Sequence, residues 1–115
     1  MNREQKIQLT IHRLQQDYSQ NRITIYLHKK STDYLRSQHL RADSALKFAI
    51  QQLATSHYYR GPSPHHWLPN FWVYEFIETI LEVNMYVKFD LSATNSRLES
   101  VHPREKALNL TWTWH

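Results

Sequence analysis

Tyr58-Tyr59-Arg60-Gly61-Pro62-Ser63-Pro64 decides how this chain reads. It holds the only glycine and two of the four prolines. Upstream of it apolar residues recur at helical spacing; downstream they alternate, as in strands. Glycine tolerates positive φ and proline has no N–H to donate, so Gly61-Pro62 is a strong breaker pair. The stretch predicts one organising turn, from a helical half (about residues 1–57) into a sheet half (about 58–115). Tyr58, Tyr59 and Arg60 stand at its lip, either wedged into the core or presented to a ligand.

Working back toward the N-terminus, Ala45, Leu46, Ala49, Ile50 and Leu53 give one apolar face to a helix over 44–55, with Asp43 as its cap. Ser31 or Thr32 caps a shorter helix that runs to Gln38, with Asp33 in its first turn and Tyr34 and Leu35 inward. Arg22–His28 is β-branched and partly alternating, a short strand. Ile7, Ile11, Leu14 and Tyr18 form a helical stripe over 3–20, with no strong cap evident.

Downstream, 65–70 reads as loop and Phe71–Ile77 as the first long strand. Asn84–Leu91 alternates most clearly. Val83, Met85, Val87, Phe89 and Leu91 point one way and Asn84, Tyr86, Lys88 and Asp90 the other. After a turn at 92–96, Arg97–His102 returns as a strand stopped by Pro103, and Leu108–Trp114 alternates like an edge strand. The predicted fold is a single α+β domain. Its N-terminal helices pack on one face of a C-terminal antiparallel sheet whose other face is polar.

Composition removes whole classes. With no cysteine there is no disulfide, thiolate metal site or cysteine nucleophile. One glycine excludes a P-loop, a dinucleotide fingerprint and a G-x-S-x-G elbow. The opening MNREQKIQ is too polar for a signal peptide and no apolar run is long enough to cross a bilayer, so the expectation is a cytoplasmic protein without membrane contact. A net charge of +4 and a pI of about 9.5 suit a nucleic-acid or acidic partner.

Tyr86 and Lys88 are two apart on one strand and so share a face. Pairing of consecutive strands brings His102 or Arg97 beside them, with Arg60 at the end of the preceding segment. Arg, Lys, Tyr and His together suit a phosphodiester: cations meet the charge of a pentacovalent phosphate, and His or Tyr moves protons. Ordinary solvated surface cations are the other reading. His65-His66, with His57, Glu75 and Glu78, lack the spacing of a zinc site, and no metal is expected. Tyr58, Tyr59, Trp67, Trp72 and Tyr74 either stack on single-stranded RNA or fill the core.

The run YYRGPSPHH, then FWVYEF, VNMYVKFDLS and LESVHP resembles toxins of the MqsR kind, in the RelE-like group of small bacterial RNases of type II toxin–antitoxin systems. The likeness lies in Tyr59-Arg60, Trp72-Val73-Tyr74, Met85-Tyr86-Val87-Lys88 and Val101-His102, and covers roughly 42–103. It implies a metal- and cofactor-independent endoribonuclease that cleaves mRNA by 2′-OH attack on the adjacent phosphate. Its partners would be single-stranded mRNA and a cognate antitoxin, with DNA reached only through an antitoxin complex. Arg60, Tyr86, Lys88 and His102 then take catalytic positions, and Tyr58, Tyr59, Trp72 and Tyr74 the RNA contacts. Arg60 replaces a common lysine and cannot act as a base. Glu75 stands near the place of an expected glutamine, and the hairpin between Phe76 and Val83 lacks the usual glycine. A non-catalytic module that binds RNA or protein through the same basic, aromatic face is the alternative.

Overall fold

Asn2 opens the first helix. Its Oδ1 accepts the Gln5 N–H at 2.8 Å, while the Gln5 side chain accepts the Asn2 N–H at 3.0 Å. This is a capping box built from Asn and Gln, so the helix does have a strong cap. The computed structural model describes residues 2–104, and the alternating stretch Leu108–Trp114 lies outside them. Helix α1 is Arg3–Ser19, followed by β1 (Ile23–Ile25), α2 (Lys29–Ser37) and α3 (Ala42–Gln51). A 3-10 turn at Leu53–Thr55 leads into β2 (His57–Pro64), β3 (Trp72–Ile80), β4 (Val83–Leu91) and β5 (Ser96–Pro103).

Two predicted caps do other work. The N-cap of α2 is His28, and Ser31 is buried with its Oγ accepting the Val101 N–H at 2.8 Å. That bond ties α2 to β5. The N-cap of α3 is Arg41, and Asp43 lies in the first turn, paired with Arg41 at 3.0 Å.

Gly61-Pro62 is not the boundary between the halves. It lies inside β2, which pairs with β3 as Arg60↔Glu75 and then Ser63↔Val73, with irregularities on either side of Arg60. The reason is position: the sheet order is β1-β5-β4-β3-β2, so β2 is an edge, where prolines and bulges are tolerated. Gly61 has φ 119°, and a Cβ there would lie 2.4 Å from the Val73 carbonyl oxygen. The Gly61-Pro62 peptide is cis.

The fold is α+β, helices first and then a sheet. The sheet is mixed rather than wholly antiparallel, because β1 runs parallel to β5 at the other edge. The β4 alternation holds: Met85, Val87, Phe89 and Leu91 are buried and Val83 half-buried, in one core with Leu46, Ile50 and Leu53. Phe76 and Phe89 meet edge to face at 6.3 Å. Between β3 and β4, Leu81 and Glu82 both have positive φ, 51° and 66°, as a two-residue primed turn requires. Among the described residues no helix is long and apolar enough to cross a membrane.

Candidate active site on the outer sheet face

The face away from the helices carries a row of polar side chains set by strand register. Arg60 lies opposite Glu75, Glu75 opposite Lys88, and Lys88 opposite Ser100; beside them Tyr86 lies opposite His102. The four predicted catalytic residues therefore share one face. Neither cation is bare. Arg60 grips Glu75 through Nε at 2.8 Å and a second nitrogen at 3.0 Å, and Tyr86 donates its hydroxyl proton to the same carboxylate. Lys88 Nζ lies 2.7 Å from Glu99. Glu99 reaches this face because the β4–β5 register shifts between Lys88 and Phe89, leaving it as an extra residue.

His102 stacks beside Tyr86 with 5.3 Å between ring centroids. Its Nδ1 is 2.9 Å from the Pro103 carbonyl oxygen, which can only accept. The Nδ1 therefore carries the proton, and Nε2 keeps a lone pair. Burial lowers the imidazole pKa against the Pro103 bond, helped by the charges of Lys30 and Lys88. A neutral ring with a lone pair on Nε2 has the chemistry to accept a proton. Burial raises the Tyr86 phenol far above its ordinary value, and the Glu75 hydrogen bond adds to this. Tyr86 thus keeps its proton and orients Glu75.

The loop after β2 folds over the other end of this face. His65 Nε2 lies 2.9 Å from Glu99 and 3.6 Å from Asp90; Arg97 Nε meets Asp90 at 3.0 Å; His28 meets Glu99 at 3.2 Å. Asp90 and Glu99 are 0% and 2% exposed. Burial and the neighbouring Glu99 push Asp90 up, so it retains a proton. Burial acts to raise Glu99 too, but its bonds from Asp90, Lys88 and His65 prevail and hold it ionised. The solvated polar face foreseen for β4 is in this part a buried charge network. Nothing in the alternation separates a buried polar position from an exposed one, so the burial of Asp90 and Glu99, and their link to His65, was not legible.

His65, Asp90 and Glu99 bring their ligand atoms within 4.8 Å of one another, a spacing that admits a metal ion. The imidazole does not fit one. His65 Nδ1 accepts the Trp67 and Leu68 N–H groups, each at 3.0 Å, so the proton is on Nε2. That nitrogen donates to Glu99 and has no lone pair for a metal.

The four predicted RNA-contact residues do not converge. Tyr58, half-buried, packs edge-on against Phe76 at 5.3 Å at the margin of the core, and burial pushes its phenol up to about 12. Trp72 and Tyr74 lie on the helix side of β3, lining an open cavity of about 760 Å³ with Arg13 and Phe71. Tyr59 alone stands by the outer face, its ring 5.1 Å from the Arg60 guanidinium. Set against known proteins, the chain matches no family model, no curated protein and no solved structure.

Proposed function

We propose that the chain is a metal- and cofactor-independent endoribonuclease acting on single-stranded mRNA, the growth-inhibiting toxin of a type II toxin–antitoxin pair. The observation that supports it is His102: a neutral imidazole whose tautomer is set by the Pro103 carbonyl, leaving a lone pair on Nε2, with Lys88 near enough to act on its charge. His102 Nε2 takes the proton of a ribose 2′-OH. The 2′ oxygen then attacks the adjacent phosphorus, and the bond to the 5′ oxygen breaks, leaving a cyclic phosphate and a 5′-OH that takes its proton from water. Lys88 and Arg60 meet the phosphoryl charge, positioned by Glu99 and Glu75. Those carboxylates also favour a second reading, in which both cations are already neutralised and the face binds RNA or an antitoxin-like protein without chemistry.

The test measures RNA cleavage and thermal stability together for His102→Ala, Lys88→Ala, Arg60→Ala and Tyr86→Phe. His102→Ala should lose roughly 10²–10⁴-fold in cleavage without unfolding. The acid limb of the pH–rate profile should fall below 6.5, the ordinary imidazole value, and vanish in His102→Ala. Induction should arrest bacterial growth, with relief by a co-expressed neighbouring gene. RNA binding without cleavage by the unaltered protein selects the second reading.

A further inference from the structure

A groove of about 560 Å³ opens between the end of β1, the start of α2 and the loop after β2. Two of its aromatic rings are exposed: Trp67 at 83% and Tyr26 at 59%. Both are carried on hydrogen-bonded backbone. The Trp67 N–H and that of Leu68 both donate to His65 Nδ1, and His65 is anchored through Nε2 on buried Glu99. The Tyr26 N–H bonds the Leu98 carbonyl at 3.0 Å, and its ring lies 4.3 Å under the Arg97 guanidinium. Arg97 is fixed in turn by Asp90.

A buried histidine thus anchors the backbone that carries a tryptophan contributing almost nothing to the core. Anchoring the backbone beneath an exposed ring lowers the ordering cost of laying something flat against it. The flat groups that accompany a phosphate backbone are bases, and aromatic rings beside arginine bind unpaired bases through their π-faces. The groove also adjoins the candidate active site. Glu99 touches His28 and His65 on the groove side and Lys88 on the other. From Glu99 to His102 along β5 is roughly 10 Å at strand rise.

We propose that this groove is a base-stacking subsite for single-stranded RNA, holding the base of a nucleotide near the phosphate that faces His102. Trp67 is its platform and the Arg97–Tyr26 stack a second wall. The proposal rests on the RNA reading of the outer face, and its test separates the two.

The test uses the full chain carrying His102→Ala, so that RNA is bound but not cut. A short fluorescent single-stranded oligoribonucleotide is titrated by anisotropy, with and without Trp67→Ala or Trp67→Phe. Trp67→Ala should weaken binding about tenfold or more, the usual value of one stacked base, and Trp67→Phe should recover most of it. Melting temperatures should stay unchanged, since Trp67 is exposed. Equal affinity of the parent and Trp67→Ala for the oligonucleotide, with Lys88→Ala weakened, overturns the subsite and leaves the RNA reading standing; a groove meant for a protein partner gives that result. Failure of every variant, the parent included, to bind RNA overturns both.

Discussion

Strand β3 carries two buried glutamates, and the two faces of the sheet treat them in opposite ways. Glu75, on the outer face, accepts both nitrogens of Arg60 and the Tyr86 hydroxyl. Glu78, on the helix side, is 1% exposed, and among the described residues neither of its carboxyl oxygens has a hydrogen-bond partner. Burial pushes its pKa up to about 9, so it keeps its proton at neutral pH. Depth is nearly the same at both positions. Partners differ: on the outer face Glu75 and Glu99 each meet a cation, whereas Asp90, set beside both Arg97 and Glu99, keeps its proton as Glu78 does.

The largest test of this contrast removes an outer acid. Glu99→Ala should cost about 3–5 kcal/mol in urea unfolding, because Lys88 and His65 lose their shared buried acceptor. Unchanged stability would show that the outer network is ornamental. The next test concerns the inner acid. Folded Glu78 holds its proton up to about pH 9, while the unfolded group releases it near 4.5. Folding takes up a proton between those limits, so stability falls as pH rises through the window, by about 1.4 kcal/mol per unit. Asp90, also raised by burial, acts with the same sign. Glu78→Gln should flatten the fall of melting temperature with pH; an unaltered slope would place the proton uptake elsewhere. The smallest effect is at the hairpin that keeps the two faces in register. Glu82 has φ 66°, a conformation glycine adopts freely. Glu82→Gly should raise stability by about 1 kcal/mol in the same urea experiment. A loss instead would mean that the Glu82 side chain contributes more than its backbone strain costs.

The inner face was legible in the sequence because its signal is local. The stripe through Ile11 and Leu14 and the alternation through Met85, Val87 and Phe89 each place residues in the core without reference to distant chain. The candidate site was legible in part: register on β4 and β5 puts Tyr86, Lys88 and His102 together. What did not show was non-local. A breaker pair looks the same in a turn and in a bulged edge strand, so β2 was missed. The parallel pairing of β1 with β5 joins residues 23–25 to 96–98. The inward turn of Tyr58 depends on Phe76, and the work of His65 depends on Glu99.

The two rims of the sheet have a consequence for assembly. A long, straight, unprotected outer strand invites a second chain to extend the sheet, the usual route to fibres and to many partner complexes. On one rim, β2 is broken in register and carries Pro62 and Pro64, neither of which has an N–H to offer. On the other, β1 is three residues long, and beyond it Ser31 of α2 already takes the Val101 N–H. Among the described residues this sheet has no template for strand addition. A strand from another chain would meet no continuous row of free backbone groups at either of these rims.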